Sequence, residues 1–479
     1  MKSILKLSAL LAIAAAGIAS GWENNATKVV APIDEEAVPD QPTEIFKPLP
    51  HKHVNKHDHN NLVPKKKTSF YYSTKSKNKT ADAHITVNHT MKYPSVMLED
   101  IAAITEVDCT PNSVKTTFND TKVFERARAF WYNNHGPLVL VTNHLGDCDS
   151  ELDRAFFIAT SVKWDAKTLV AIAYARKADV SSIATQSEIS FGDIAAGSLT
   201  PVKSKRSLDP SMSFSPTYSL SPNTTLFSQA PFVDIKAEKG LFASNVTLSG
   251  YLRYDWLGFK LKELYFDLDA DFNADLVFSA SVEAEFATSF EFAAPVVAQG
   301  IAVPGVLELG PMLEFSVGSD IGVSAAVDLS TEFKLDLAGA NVHIDVMNKN
   351  NTAFSGWVPT YSASADLNVK AQAHFDPYAA LTVQVAANAF GGLLDLSTGV
   401  VAKAEFENQF SISAEVAVDE NGIENTTGTK NAGVCPHGIY LESEFLFSLD
   451  VFATEWYSAS IVAVAEPFLE KCYSWDSHF

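Results

Sequence analysis

The chain has 479 residues, of which 47% are hydrophobic and 19% charged, and its formal net charge at pH 7 is −21. This composition is typical of a globular protein with a hydrophobic core and excludes a disordered polymer. The longest apolar run, Leu7 to Ile18, is about 12 residues, whereas a bilayer-spanning helix needs about 20, so we expect no transmembrane segment.

Residues 1–20 have the pattern of a secretory signal peptide. Lys2 and Lys6 precede the apolar run, and the small residues Gly17, Ala19 and Ser20 suit signal peptidase. An uncleaved anchor is the alternative. We therefore expect a secreted, extracellular protein and exclude this segment from the fold.

Eight Asn-X-Ser/Thr sequons agree with secretion, since such sites carry glycans in secreted proteins. They lie at Asn25, Asn78, Asn88, Asn119, Asn223, Asn245, Asn350 and Asn425. The sequence therefore predicts a glycoprotein.

Four cysteines divide evenly along the chain, with Cys109 and Cys148 in one half and Cys435 and Cys472 in the other. An oxidising compartment favours one disulfide in each half. Pairing between the halves and four free thiols remain alternatives.

Residues 21–80 form a Lys-, His- and Pro-rich segment of low complexity, which we expect to be disordered because it has little apolar surface to bury. The imidazoles of His51, His53, His57 and His59 have spacings that suit copper, nickel or zinc. The alternative is a solvated tail. We expect no cofactor.

Residues 81–198 are predicted to form a small N-terminal β-sandwich-like or α+β module. Its turn-bounded apolar segments predict strands, and Glu125 to Trp131 predicts a helix. The strand segments are Ala83 to Val87, Ser113 to Phe118, Leu138 to Thr142, Phe156 to Val162 and Thr168 to Ala175.

A change of charge marks a boundary near Arg206. Residues 1–206 contain 25 Lys and Arg against 22 Asp and Glu, a balance of +3, and residues 207–479 contain 11 against 35, a balance of −24. This asymmetry indicates two modules. Residues 199–224 read as a linker, in which Lys205 and Arg206 form a dibasic site suited to a secretory processing protease. An unprocessed linker is the alternative.

Residues 225–479 alternate apolar and polar residues with period two, which predicts a large antiparallel β module of long amphipathic strands. From Leu264 to Phe286 the even positions are apolar and the odd positions are mostly acidic or small. A two-residue hairpin would invert this parity. The segment is therefore one strand of about 23 residues, or its turns have odd lengths. In either case the apolar face must fold over on itself or meet another apolar surface.

Two groups of residues are candidates for chemistry. Asp267, Asp269, Asp271 and Asp275 share one strand face, where calcium binding or acid/base roles compete with a solvated face that prevents aggregation. His144 with Asp147 or Asp149 suits an acid/base pair or a disulfide-anchored turn. Zinc, nucleotide and hydrolase motifs are absent from the sequence, and phosphate repulsion argues against nucleic acid as a partner.

Several N-terminal segments resemble the first module of a family of secreted filamentous-fungal proteins of uncharacterised function, in which a second β-rich module follows. The segments are Val107-Asp108-Cys109, Val114 to Phe118, Ala129-Phe130-Trp131 and Leu140 to His144, together with Gly146 and Cys148. The resemblance covers Ala81 to Ala178 and, more loosely, Leu226 to Cys472. It implies a fungal secretory origin and supplies no activity.

The sequence thus predicts a secreted, non-catalytic glycoprotein that binds a cell-wall or surface component, either glycan or lipid. One alternative is a lipid-binding or membrane-active β protein that is released by cleavage at Arg206. Another is a carboxylate-dependent glycoside hydrolase, which needs two acids about 5 to 10 Å apart.

Overall fold

The computed structural model describes residues 43–49, 54–73, 84–131, 136–142, 148, 154–192, 212–297, 300–367, 373–412, 415–419, 422–426, 435, 438–453 and 457–474. All of them belong to one compact unit, Pro32–Phe479. The fold of this unit is mainly β, as the period-two pattern predicts. Neither α-helix in the described part of the chain has the length and hydrophobicity that a membrane crossing requires.

The N-terminal half contains ten strands and two α-helices among the described residues. The helices are α1 (Thr121–Trp131) and α2 (Val180–Ile183). The strands are β1 (Thr43–Ile45), β2 (Lys47–Leu49), β3 (Lys65–Ser73), β4 (His84–Met97), β5 (Ile104–Thr110), β6 (Ser113–Phe118), β7 (Leu138–Thr142), β8 (Ala155–Asp165), β9 (Val170–Ala178) and β10 (Ala184–Phe191).

The C-terminal half is built from longer strands. They are β11 (Met212–Phe214), β12 (Thr217–Leu220), β13 (Thr224–Gln229), β14 (Val233–Asp255), β15 (Lys260–Val282), β16 (Phe286–Val297), β17 (Gly300–Val303), β18 (Leu307–Val323), β19 (Val327–Asp345), β20 (Ala353–Ser355), β21 (Thr360–Leu367), β22 (Ala373–Ala389), β23 (Leu394–Ile412), β24 (Glu415–Asp419), β25 (Gly422–Thr426), β26 (Gly438–Ala453) and β27 (Tyr457–Ser474). β24 and β25 form a hairpin of their own.

The larger sheet, which we call sheet 1, runs through both halves of the chain. Its centre is the antiparallel ladder β14–β15–β19, and β20 and β21 pair with the far edge of β19. Strands β10 to β13 pair with the opposite edge of β14. β10 also pairs with β4, from which the sheet continues into the remaining strands of the N-terminal half. The two halves therefore share one hydrogen-bonded sheet.

The second sheet, sheet 2, is an antiparallel array in the order β18–β22–β23–β26–β27, with β16 and β17 on the outer edge of β18. β1 extends this edge by pairing in parallel with β17.

Sheets 1 and 2 pack face to face through their apolar residues. The Phe315 ring of sheet 2 stacks on Phe242 of sheet 1, with the ring centroids 5.4 Å apart. Phe333 of sheet 1 and Phe406 of sheet 2 meet at 4.9 Å. All four side chains are buried. The acidic residues of the alternating pattern consequently point outward on both sheets.

Two features of the structure explain why the apolar residues stay at even positions from Leu264 to Phe286. Lys260–Val282 is a single strand of 23 residues, which is the length expected for one long strand. The connection 283–285 then has an odd length, three residues, and carries the chain from β15 in sheet 1 to β16 in sheet 2. Because both sheets face the same core, the apolar residues of both strands are buried between them.

Two expected boundaries are corrected by the structure. The segment 21–80 was expected to be disordered throughout, yet β1, β2 and β3 lie within it, and Phe46, Phe70 and Tyr72 are buried in the core. The alternating aromatic residues of β3 outweigh its lysines, which point outward. The expected linker, 199–224, contains β11 and β12, which pair with β14.

The N-terminal half also has a smaller core of its own, around α1. Phe124, Ala127 and Trp131 are buried on one face of the helix, against the sheet strands. Beside this core the Arg154 guanidinium binds the Glu99 carboxylate at 2.7 Å, with the two side chains only 1% and 7% exposed. The sequence pattern contained no sign of this buried ion pair.

A buried hydrogen-bond network joins β4, β10 and the end of β14. The indole of Trp256 donates to the Ser187 hydroxyl at 2.7 Å, and Ser187 lies 2.7 Å from Nδ1 of His89. Burial lowers the pKa of His89 to about 3, so its imidazole is neutral and can accept a hydrogen bond from the Ser187 hydroxyl, whose oxygen accepts from Trp256. The network fixes the junction between the two halves.

Each half contains one disulfide. Cys109 pairs with Cys148, and Cys435 pairs with Cys472, which is the pairing that the sequence favours. A bridge of this kind constrains the unfolded chain within its own half. The connection between the halves is therefore noncovalent apart from the backbone.

Candidate functional site on the outer face of sheet 1

The aspartates of β15 form cross-strand pairs on the outer face of sheet 1. Asp267 lies 2.8 Å from Nδ1 of His343, and Asp269 accepts from the Asn341 amide at 2.9 Å. The remaining two follow the same rule: Asp271 accepts from the Gly339 backbone amide at 2.7 Å and Asp275 from Lys239 at 2.6 Å. We call this series the aspartate ladder.

The electrostatics of the ladder reflect these partners. The hydrogen bond to Asp267 raises the pKa of His343, and burial raises the pKa of Asp269. No group of three or more His, Cys, Asp or Glu in the described part of the chain is placed to hold a metal ion. The geometry thus favours the solvated-face interpretation of these residues over calcium binding.

At the last rung of the ladder, around Asp275, an open depression of about 380 Å³ lies on the same face. We call it the sheet-face depression. Strands β14, β15, β19 and β21 contribute to it, and every second residue along each strand points outward. The residues that line it are Leu241, Ala243, Asn273, Ala274, Asp275, Lys334, Leu335, Asp336, Thr360, Tyr361 and Ser362.

Polar side chains surround an exposed leucine in this depression. Leu241, on the outward face of β14, is 46% exposed. The amide of Asn273 and the carboxylate of Asp336 are exposed beside it, as is the hydroxyl of Ser362. The depression can therefore offer donors, acceptors and an apolar surface to one ligand.

Two of the three charged residues that line the depression are ion-paired. Asp275 binds Lys239 at 2.6 Å and Lys334 binds Glu332 at 2.9 Å, while Asp336 is the third. Within the described residues the second carboxylate oxygen of Asp275, Oδ1, is buried and accepts no hydrogen bond. Because this atom has no accessible surface, the groups that a ligand can reach are the exposed side chains of Asn273, Asp336 and Ser362. This chemistry suits an uncharged, hydroxyl-rich ligand.

A second polar site lies on the outer face of sheet 2. Asp320 of β18 is directly opposite Asp376 of β22, and Glu407 of β23 is opposite Glu444 of β26. We call these four residues the acidic row. Unlike the aspartate ladder, the acidic row sets carboxylates beside carboxylates.

Side chains around Asp376 replace missing backbone hydrogen bonds at an interruption in sheet 2, an arrangement that we call the repair. The ladder between β22 and β23 is not continuous around Pro377, which has no amide hydrogen to donate. The Asp376 carboxylate accepts the Asn408 backbone amide at 2.8 Å, and the buried Asn408 side chain donates to the Phe375 carbonyl at 2.8 Å. Ser443 donates to the Asn408 side-chain oxygen at 2.7 Å, which completes the repair.

The environment of Asp376 favours its protonated form. Burial raises the pKa of Asp376 to about 7, against the lowering effect of the Asn408 amide. The charges of Glu407 and Glu405 add to the rise. His374, whose pKa is raised by its hydrogen bond to Asp320, stands beside this group. A carboxyl group with such a pKa can act as a general acid, or it can be a structural group that is neutral near pH 6.

The structure locates eight of the seventeen other residues that the sequence singled out. Asn119, Asn223, Asn245 and Asn350 are exposed, whereas Asn88 is half-buried on β4, and Asn425 lies on β25. His57 and His59 are exposed; His59 begins a short 3-10 helix and His57 lies just before it. The positions outside the described residues are Asn25, Asn78, His51, His53, His144, Asp147, Asp149, Lys205 and Arg206.

The sheet-face depression was missed by the sequence reasoning. Its outward residues come from β14, β15, β19 and β21, which span more than 120 residues of the chain, from Leu241 to Ser362. Only Asp275 belonged to a candidate group. The exposed Leu241 was the one local signal, because an apolar residue there breaks the alternation of β14.

Two family models match the chain. Residues 88–188 match a domain of unknown function, DUF7029, and residues 265–468 match another, DUF7223. The two-module arrangement that the sequence indicates agrees with these matches. No curated protein and no solved structure matches the chain.

Proposed function

We propose that this chain is an extracellular binding protein that attaches to a neutral, hydroxyl-rich glycan, such as a cell-wall polysaccharide, through the sheet-face depression. The observation that carries the proposal is the exposed Leu241 side chain with the exposed amide of Asn273, carboxylate of Asp336 and hydroxyl of Ser362 around it. Sugar rings present an apolar face and a rim of hydroxyls, which this lining complements.

An extracellular location has separate support. Two disulfides form readily in an oxidising compartment and are rare in the cytosol. The predicted signal peptide and the exposed sequons at Asn119, Asn223, Asn245 and Asn350 point to the same compartment. Intact-mass measurement before and after deglycosylation of protein from the culture medium tests this part of the proposal.

The binding proposal is tested by co-sedimentation with insoluble β-glucan, chitin and mannan. We expect the full chain to bind at least one of these polymers and the Asn273→Ala variant to bind it about fivefold more weakly, since a lost hydrogen bond is worth about 1 kcal/mol. Ser330→Ala is the matched control, because Ser330 lies on the same face of β19 outside the depression. Equal binding by the Asn273→Ala variant, or no binding of any polymer by the wild-type chain, would refute the proposal.

A glycoside hydrolase is the second candidate, and the pKa of Asp376 favours it. Asp320 and Glu407 are nearby carboxylates, and a retaining or inverting hydrolase needs one protonated and one ionised acid. Release of reducing ends from the polymer that the chain binds, abolished in the Asp376→Asn variant, would support hydrolysis. Release that persists in this variant would exclude Asp376 as the acid.

Membrane activity after cleavage at Arg206 is the remaining alternative. It requires the acidic half to separate from the N-terminal half, yet the two halves share sheet 1 and one core. We therefore expect a chain cut at the dibasic site to elute from gel filtration as one species under native conditions. Two separate native species would revive the release alternative.

A further inference from the structure

Two hairpin turns meet at one end of the sandwich. The turn between β14 and β15 carries Trp256, and the turn between β22 and β23 begins with Phe390. These two rings pack edge to face with their centroids 4.9 Å apart, and Phe390 also contacts Tyr254 at 5.6 Å. The two turns are thus held together, although they belong to opposite sheets.

Beyond this contact, both turns expose large apolar side chains. Leu257 and Phe259 are 69% and 68% exposed in the first turn, and Leu393 is 50% exposed in the second. We call these three residues the apolar tips. Turns of soluble proteins usually expose polar residues, so a group of three such tips indicates a contact surface.

Phe259 is held in a conformation that is costly for its side chain. Its φ of 47° lies in the left-handed region, which glycine and asparagine adopt more easily than a bulky residue does. The loop is closed by Asp255, whose carboxylate accepts the backbone amides of Leu257 and Gly258. The fold gains no burial from the exposed Phe259 ring that would offset this cost.

The turn between β8 and β9 provides an internal comparison. Asp165 accepts a turn amide there in the same way, and Leu169 occupies the corresponding left-handed position with a φ of 54°. Leu169, however, packs against the small core of the N-terminal half. Packing against the core explains the apolar side chain of Leu169, whereas the exposed side chain of Phe259 has no such explanation.

Positive charge accompanies the tips. Residues 207–479 contain only 11 Lys and Arg, and three of them, Arg253, Lys260 and Lys262, lie within ten residues of one another around this turn. Arg253 pairs with Glu263, and Lys262 is 3.5 Å from Asp255, while Lys260 is exposed directly after Phe259. Residues 253–263 thus have a net charge of +1, with three cations against two acids, within a half of the chain whose balance is −24.

We propose that the apolar tips insert into the surface of an anionic lipid bilayer, with Lys260 and Lys262 placed at the level of the headgroups. Interfacial binding depends on apolar side chains that enter the acyl boundary and on cations that meet anionic lipid. The tips are exposed at the end of two packed turns, where they can meet a planar interface. A bound peptide would instead need a groove or a free strand edge.

The test is co-sedimentation of the full chain with vesicles of phosphatidylcholine and phosphatidylserine at a 4:1 ratio. We expect the wild-type chain to bind and the double variant Leu257→Ser, Phe259→Asn to bind at least tenfold more weakly. Val358→Ser is the matched control, because Val358 is 80% exposed but lies between β20 and β21, away from the turns. Its binding should equal that of the wild type.

Two further measurements separate a specific loss from misfolding and test the role of charge. Phe259→Asn alone relieves the left-handed strain, so its melting temperature should equal or exceed that of the wild type while its vesicle binding falls. Lys260→Gln with Lys262→Gln should weaken binding to the mixed vesicles and reduce its dependence on salt.

Three results would overturn the proposal. They are failure of the wild-type chain to sediment with the mixed vesicles, equal binding by the double variant, and a dimer in solution that the double variant dissociates in the absence of lipid. The last result would assign the tips to a second copy of this chain. None of these results depends on glycan binding at the sheet-face depression.

Discussion

The outer faces of the two sheets are both acidic, but the carboxylates on the two faces have different neighbours. On sheet 1, the aspartates of β15 each have a donor on a neighbouring strand, such as His343, Asn341 or Lys239. On sheet 2, Asp320 and Asp376 are directly opposite each other, and so are Glu407 and Glu444. The same alternating pattern in the sequence thus produces a ladder of complementary pairs on one face and a row of like charges on the other.

This difference determines how each face should respond to pH. A carboxylate with a cross-strand donor stays ionised at low cost, whereas adjacent carboxylates repel each other and take up a proton more easily. Burial raises the pKa values of Asp376, Glu407, Glu314 and Asp450 on sheet 2, and neighbouring carboxylates add to the rise for the first three. On sheet 1, burial and the flanking aspartates raise the pKa of Asp269. Sheet 2 should therefore gain more stability in mild acid than sheet 1.

The largest expected effect comes from breaking the packing that turns both acidic faces outward. Phe315→Ala removes the ring that stacks on Phe242 and lies 6.1 Å from Phe272, and it should lower the free energy of unfolding by about 3–5 kcal/mol. Phe354→Ala, at a 50% exposed position on the edge of sheet 1, should cost less than about 1 kcal/mol. Denaturant unfolding of both variants measures the difference. Similar losses would mean that the sheets do not face each other as described.

The next effect tests the repair of sheet 2 at Pro377. Asn408→Ala removes the buried amide that donates to the Phe375 carbonyl and accepts from Ser443. Leaving these partners unsatisfied should cost about 2–3 kcal/mol, measured as the shift of the denaturation midpoint at constant slope. Asn341→Ala on sheet 1 is the matched control, since its side chain binds the half-exposed aspartate ladder and should cost about 1 kcal/mol or less. A smaller loss for Asn408→Ala than for Asn341→Ala would contradict the repair.

The charge difference itself is tested with Asp376→Asn. Because the folded pKa of Asp376, about 7, is above the ordinary value of 3.8, the wild-type fold loses stability as the pH rises from about 4 through 7. The asparagine has no charge to bury and keeps an oxygen for the Asn408 amide. We expect the variant to be more stable than the wild type at pH 8 by about 1–2 kcal/mol, with the difference shrinking toward pH 5.

Thermal unfolding of the wild type and this variant at pH 5, 6.5 and 8 provides the measurement. Asp328→Asn, at an exposed position on sheet 1, serves as the control for removing an exposed carboxylate charge. Parallel stability curves for the wild type and Asp376→Asn would show that Asp376 is ionised in the fold.

The local alternation of residues predicted much of this fold, and long-range pairing accounts for most of what it missed. Leu264 to Val282 lie on one strand because each residue on its inner face is apolar, which the sequence displays directly. The sequence does not show which other strand each strand pairs with. The crossing from β15 to β16 and the pairing of β10 with both β4 and β14 depend on contacts between distant residues.

The same limit applies to the candidate sites. Asp275 was visible in the sequence, but its role in the depression depends on Leu241, Asn273 and Ser362, which come from three strands. In β3, the alternation of Phe70 and Tyr72 was obscured by the lysines around it, so a buried strand was interpreted as disorder. Sequence composition underestimated this segment because the burial of a few aromatic residues outweighs many exposed charges.

The smallest effect concerns His343 on the aspartate ladder. Its hydrogen bond to Asp267 raises the pKa of the imidazole above 6.5, so the pair stabilises the fold fully below that pH, and this contribution is lost as the pH rises through the folded pKa. We expect His343→Gln to lower the free energy of unfolding by about 0.5–1 kcal/mol at pH 5.5 and by almost nothing at pH 8.5. Asp376→Asn should do the reverse, with its effect largest at high pH. Opposite pH profiles for these two variants would therefore separate the paired carboxylates of sheet 1 from the crowded carboxylates of sheet 2, and identical profiles would show that the two faces behave alike.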